Sequence, residues 1–374
     1  MKQTSTLLGL ARLFYLPLGR VGMILFFILS LLLGEGRSGA CLAQDIHFSQ
    51  SIMTPLMLNP ALTGVFDGNQ RVFLNYKNQW QGMGMSGATY NTALFSFDTR
   101  ITKKKWKKGY LGAGLTAFKD VAGDLKLGTT QLNLLLSGTV FINRQQSLSG
   151  SMQGGFVQKS ISTAAMQWEN QYDAGTGAYN PALLSNDIAT IPPTMYGDFS
   201  TGLSWKFNKP SSTISANDQF QLIVGLAALD INTPKQSFYS TGTNEELYSR
   251  FVVHAQSRIG IANSDLTITP NASFIKQGPS TELNVGTLFR LALKNESVYT
   301  GYGKGMAISL GGQYRMNDAI IPMLLFEYSN YAFGVSYDVN TSSLTRGTKG
   351  KGGIEISLRF ITQNFRNSPT RLLD

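Results

Sequence analysis

The chain has 374 residues, 43% of them hydrophobic and 14% charged, with a formal net charge of +10, one cysteine and two histidines. So few histidines and cysteines exclude a His/Cys-rich metal centre and a disulfide framework. The basic residues are spread along the chain and not gathered into an aromatic-lined groove, so nucleic-acid binding is not expected.

Residues 1–43 read as a signal peptide. Lys2, Arg12 and Arg20 precede the apolar run 21–33, and small residues follow it. That run is 13 residues long, shorter than the roughly 20 that a membrane-spanning helix needs. Cleavage after Ala43 starts the mature chain at Gln44 and leaves it without cysteine, because Cys41 is the only one. The rival reading makes Cys41 a lipidated N-terminus, but Ser38 stands where that signal wants a leucine-like residue. The segment takes Lys2, Arg12, Arg20 and Arg37 against Glu35 with it, which leaves +7 of the +10 on the mature part.

Residues 44–69 show no alternation, and Asn59-Pro60 and Gly64 favour a compact turn over a flexible tail. From residue 70 onward the dominant signal is a period of two, repeated in segments of about ten residues that end in Gly, Asn, Asp or Ser, the pattern expected of transmembrane barrels. Strands are predicted near 70–76, 88–99, 109–119, 128–141, 148–159, 197–207, 219–229, 250–261, 265–276, 280–292, 305–315, 319–328, 331–340 and 351–361. The clearest alternation closes the chain: Phe333, Val335, Tyr337 and Val339 interleave with Gly334, Ser336, Asp338 and Asn340, then Ile354, Ile356 and Leu358 with Glu355, Ser357 and Arg359. Similar faces set Leu132, Leu134 and Leu136 against Gln131, Asn133 and Ser137, and Leu283, Val285, Phe289 and Leu291 against Glu282, Asn284 and Arg290.

The predicted fold is all-β, a transmembrane antiparallel β-barrel of about 14 strands over 70–361, with 44–69 as a periplasmic or luminal plug and 362–374 as a tail. A closed barrel leaves no backbone edge unpaired and needs no disulfide. Even strand numbers are the rule for bacterial single-chain barrels, with short periplasmic turns and longer outer loops. The two longest connections, 160–196 and 230–249, both join an odd strand to the next even one and so fall outside the cell. A soluble β-sandwich also alternates, but its strands are fewer and shorter. The expected location is the cell outer membrane, with lipid against the apolar face.

Three stretches carry more than architecture. The candidate plug residues are His47, Phe48, Asn59, Pro60 and Gly64. Outer loop 160–196 offers Trp168, Tyr172 and Tyr179 for partner binding, or as a lid over the barrel's own mouth. The run Lys103, Lys104, Lys105, Trp106, Lys107 and Lys108 lies in a periplasmic connection, where it docks an acidic partner or sits as a tryptophan anchor with lysines on lipid phosphates. No catalytic residue, cofactor or metal site is predicted. His254 has Ser249 and Ser257 nearby without a nucleophile motif, and glycine-rich 109–114 and 301–305 open no helix, which leaves curvature and close packing as their use.

An ordered set of blocks resembles the PorP/SprF family of the type IX secretion and gliding-motility systems. It comprises Gln44-Asp45-x-His47-Phe48-Ser49-Gln50, Leu58-Asn59-Pro60-Ala61-Leu62-x-Gly64, Tyr76-Lys77-Asn78-Gln79-Trp80, Phe118-Lys119-Asp120 with Ala122-Gly123, and Gln171-Tyr172-Asp173. Further along come Gly311-Gly312-Gln313-Tyr314-Arg315, Phe333 to Asp338, Ser343-Leu344, and Gly352 to Leu358. The chain departs from the pattern in its polar tail after Phe360. The resemblance implies a non-enzymatic outer-membrane component that aids secretion or surface attachment of a secreted client protein. It also implies association with a periplasmic, peptidoglycan-binding OmpA-like lipoprotein. Rival readings are a channel for small hydrophobic solutes gated by the N-terminal segment, and a barrel hydrolase built on His254.

Overall fold

In a computed structural model, residues 48–79, 89–101, 106, 108–123, 125–162, 166–184, 191–212, 217–236, 238, 246–294, 305–342, 345 and 350–362 are described. Fourteen antiparallel strands close into one barrel. They are β1 (Gln70–Gln79), β2 (Tyr90–Ile101), β3 (Gly109–Ala122), β4 (Leu127–Phe141), β5 (Gln146–Ser160), β6 (Thr194–Lys209) and β7 (Phe220–Leu229). The circuit continues with β8 (Arg250–Gly260), β9 (Leu266–Gln277), β10 (Ser280–Lys294), β11 (Met306–Arg315), β12 (Ala319–Tyr328), β13 (Tyr331–Asn340) and β14 (Lys351–Ile361). Each pairs with its sequence neighbours, and β14 closes on β1 with Lys77 opposite Glu355 and Arg71 opposite Ile361. The predicted strand set and count hold. Boundaries move by up to three residues, as at β1, which runs on through Lys77, Asn78 and Gln79, at β3, which runs on to Ala122, and at β6, which starts at Thr194.

The two faces of the wall separate by chemistry. Leu134, Leu136, Met152, Leu203 and Leu310 point outward and are 56–76% exposed. Their neighbours Asn133, Ser137, Ser151, Ser204 and Ser309 point inward and are buried. A continuous belt of large apolar side chains exceeds anything a water-soluble monomer exposes and suits hydrocarbon instead. Pro322 interrupts the β12–β13 pairs between Ile320↔Val339 and Met323↔Ser336, as expected of a residue with no N–H to give.

The lumen is filled from within. Residues 48–69 form a 3₁₀ turn (Ser51–Met53), a one-turn helix α1 (Pro55–Leu58) and a second 3₁₀ turn (Pro60–Leu62). Proline opens α1 and the second turn, where its missing N–H costs nothing. Asn59 precedes Pro60 and is pushed to an extended conformation, which ends α1. Met53 packs with inward-facing Phe73, Leu325 and Ala332. Ile52 packs against Leu288, Ala319, Ile321 and Met323. Leu58 packs against Ala227, Leu229 and Val252. Burying such a side chain is worth roughly 1.5–3 kcal/mol, so a few apolar anchors dock the segment onto an otherwise polar wall.

Candidate functional site: the inserted segment and the two barrel ends

The inserted segment is held at three levels. Near the end that bears the long loops, the backbone N–H groups of Ser49 and Gln50 donate to the Glu355 carboxylate at 2.6 and 3.2 Å. The Gln50 amide donates to the Glu355 carbonyl at 2.9 Å and accepts from Ser357 at 2.6 Å. Ser49 Oγ donates to Asp338 at 2.7 Å and receives Lys77 at 2.8 Å and Arg315 at 3.2 Å. Lys77 also pairs with Asp338 at 3.2 Å, both side chains 2% exposed. Charges this deep persist only when paired and hydrogen-bonded, and here two cations meet two carboxylates around one serine.

At mid-lumen Asn59, 0% exposed, donates from Nδ2 to the carbonyls of Leu203 and Leu226 at 3.1 and 3.2 Å. The same Nδ2 lies 3.0 Å from His254 Nε2, which makes that ring nitrogen the acceptor. Its Oδ1 accepts from Ala61 N at 2.8 Å and caps the second turn. The backbones approach because glycine faces Asn59: a Cβ on Gly225 would stand 2.6 Å from Asn59 Nδ2.

At the short-turn end Gly64 adopts φ +74°, a left-handed conformation that favours glycine. Its N–H donates to Asp98 at 2.8 Å, and its carbonyl accepts from Arg100 at 2.6 Å and Tyr110 at 3.0 Å. Arg71 forks onto Asp98 with two 2.9 Å bonds, reaches the Leu62 carbonyl at 3.1 Å and lies over the Phe66 ring at 4.4 Å. Gly112 supplies the close approach expected of glycine-rich 109–114, since a Cβ there would stand 2.8 Å from the Thr63 carbonyl. At Asp67, desolvation works upward on the carboxyl but is outweighed by Lys206, 3.2 Å away, and by Arg100 and Arg258, which hold it below the usual carboxylate range.

These contacts give the segment a direction. Lys77 and Asp338 lie near the β1 and β13 ends that lead into odd-to-even connections, whereas Asp98, Arg100 and Tyr110 flank an even-to-odd one. The chain therefore runs down the lumen from the long-loop end and turns at Gly64 into β1. Of the sequence-predicted residues, Asn59, Pro60 and Gly64 are buried in the lumen, Phe48 is half-buried, and His47 lies outside the described residues.

Elsewhere the structure keeps the candidates apart. A two-residue hairpin pairs Tyr172 with Tyr179, and these side chains are 59% and 39% exposed, with Trp168 half-buried one turn away. It is braced locally: Gln171 donates to the Leu183 carbonyl at 3.0 Å and accepts from Asn180 N at 2.8 Å. Trp106 is 41% exposed and Lys108 is exposed at the short-turn end, while Lys103, Lys104, Lys105 and Lys107 lie outside the described residues. Among the described residues no group of three or more His, Cys, Asp or Glu is placed to hold a metal. Ser249 donates to the Asp230 carbonyl at 3.1 Å, and the Asn59 amide occupies His254 Nε2. Sequence reasoning missed Lys77, Arg71, Asp98 and Arg315 as partners of the segment; the available signal was charge on the wet face of apolar strands.

Among solved structures the chain is similar to the CymD monoaromatic hydrocarbon channel, at 12% identity and TM-score 0.41, covering 87% of this chain and 96% of that one. It is also similar to a Pseudomonas aeruginosa FadL homologue, at 10% identity and TM-score 0.41, with 81% and 92% coverage. The β domain of the Bordetella autotransporter BrkA matches at 10% identity and TM-score 0.37, with 79% and 99% coverage. No curated protein matches the chain at a significant level. The sequence profile described as "Type IX secretion system membrane protein PorP/SprF" matches residues 40–360. That span takes in the inserted segment and all fourteen strands except Ile361 at the end of β14, so the chain belongs to the PorP/SprF family of type IX secretion system membrane proteins and is an outer-membrane β-barrel.

Proposed function

We propose that this barrel is a non-enzymatic component of the type IX secretion and gliding machinery, aiding secretion or surface attachment of a client protein. The observation that carries the reading is the occupied lumen. A segment tied to the wall by paired buried charges at Ser49 and Gly64 leaves the barrel suited to act through its two ends. At the outer end the exposed Tyr172 and Tyr179 form the client-facing surface; aromatic side chains of this kind carry a large share of binding energy at interfaces. At the inner end the 103–108 run faces a periplasmic, peptidoglycan-binding lipoprotein, with Trp106 and the lysines also meeting outer-membrane lipid.

Cross-linking and mass spectrometry of the protein purified in mild detergent from its native outer membrane tests this. Recovery of a large secreted protein cross-linked to 160–196, or of a periplasmic lipoprotein on 103–108, is the expected result. A barrel that emerges without either and passes small hydrophobic solutes when reconstituted would replace it with the channel reading.

A further inference from the structure

Beneath the inserted segment, the short-turn end of the lumen holds a cavity of about 410 Å³ with a mixed lining. Apolar side chains come from Leu62, Val65 and Phe66 of the segment and from Ile223, Leu288 and Leu325 of the barrel. Six basic side chains also line it, with the carboxylates of Asp67 and Glu327 among them and Asp98 serving Arg71 from outside the lining. Glu327 is shared by two guanidinium groups, with Arg290 Nε at 2.5 Å and Arg359 Nη2 at 2.8 Å. Asp67 is taken by Lys206. Arg359 Nε is buried with no hydrogen-bond partner. The half-buried guanidinium of Arg258 has no contact ion pair or hydrogen bond among the described residues and reaches the charge of Asp67 only over a longer distance.

Cationic groups left over in a partly desolvated site are costly unless an anion completes them. A guanidinium offers the planar fork that a carboxylate fills with two parallel bonds. Inorganic phosphate would satisfy the charge and make no use of the apolar lining, whereas an apolar solute would leave Arg258 unmet. The volume is at the small end of ligand pockets, too small for a two-chain phospholipid. We propose that this cavity is a binding site for a small amphipathic carboxylate, its carboxyl held by Arg258 and its apolar body against the apolar side chains that share the lining. Its lining includes Gly305, Ser329, Asn330 and Ile361 at the periplasmic end of the barrel, and a carboxylate from that side is either the terminus of a polypeptide or a free short-chain acid. It does not depend on which client or lipoprotein the barrel serves.

Calorimetric titration of the mature, full-length barrel in lipid nanodiscs tests the proposal with four probes: N-acetyl-leucyl-leucine, hexanoate, N-acetyl-leucyl-leucinamide and inorganic phosphate. Saturable binding of one or both acids is expected, with affinity at least tenfold above that of the amide and of phosphate; the tighter acid identifies the source. Arg258→Gln is expected to weaken the acid at least tenfold, and Arg258→Lys, which keeps the charge but loses the fork, by a smaller factor. Both variants are checked for the heat-modifiable gel shift of a folded barrel, and the four-probe comparison on the parent protein decides the matter should Arg258→Gln fail to fold. Equal binding of acid and amide, phosphate as tight as the acids, an unchanged affinity in folded Arg258→Gln, or no binding at all would each overturn it.

Discussion

The lumen and the long outer loop use hydrogen bonds to opposite ends. Inside, Ser49, Asn59 and Gly64 are tied to strands far away in sequence, with Glu355, Leu203 and Asp98 among their partners. Most of the side chains involved are buried, so a broken contact leaves a stranded charge or carbonyl. Around the hairpin in loop 160–196 the bonds close within about a dozen residues, as between Gly177 N and the Asp173 carbonyl at 2.8 Å, and the tyrosine rings stay outside. The first arrangement resists change and the second presents a surface. A barrel that acts by holding other proteins needs both, a rigid plugged body and an ordered but unfilled contact patch.

The sharpest way to break this contrast is Asp98→Asn. Arg71, 8% exposed, would lose its only carboxylate partner among the described residues, and Gly64 would lose a charged acceptor. Stranding a buried charge costs about 3–5 kcal/mol. We expect a correspondingly lower urea midpoint of the detergent-folded barrel, followed by tryptophan fluorescence. Gly225→Val comes next, because its side chain would occupy the space of Asn59 and His254. Overpacking of this kind costs about 1–3 kcal/mol. The diagnostic readout is conductance in planar bilayers, expected to rise above that of the parent as the segment is displaced. Asn59→Ala removes the cap on Ala61 and the contacts to Leu203, Leu226 and His254 without adding bulk. It should lower stability by about 1–2 kcal/mol, with a smaller rise in conductance than Gly225→Val.

The wall was legible because lipid on one side and a wet lumen on the other impose alternation that survives without any alignment. Leu132 to Ser137 and Phe333 to Asp338 could be assigned to faces by eye. The end of β1 was not, since Tyr76 to Gln79 is polar throughout and Lys77 reads as a turn residue until its luminal partners Ser49 and Asp338 are seen. For the inserted segment the local turns were visible at Asn59-Pro60 and Gly64, but its path was hidden. Its partners are separated by 144 residues for Asn59 and Leu203 and by 306 for Ser49 and Glu355, distances over which a single sequence carries no pairing signal. The cationic cavity was invisible for the same reason, because Arg258, Arg290 and Arg359 come from three strands and meet only on closure.

The smallest expected change in stability belongs to the double substitution Tyr172→Ala and Tyr179→Ala, and it isolates the surface half of the comparison. Both rings project outward from a two-residue hairpin whose bracing runs through Gln171, Asp173 and Asn180. Exposed substitutions away from such bracing stay within about 0.5 kcal/mol, so the urea midpoint and the conductance should match the parent. If the hairpin is the client-facing patch, recovery of the secreted protein in the cross-linking experiment should fall severalfold while lipoprotein recovery at the other end is unchanged, because the two surfaces lie at opposite ends of a rigid wall. Unchanged client recovery would move the contact elsewhere on the outer face. A loss of stability would instead show that the aromatic pair belongs to the body of the barrel, and the division between a plugged interior and a free contact surface would then have to be redrawn.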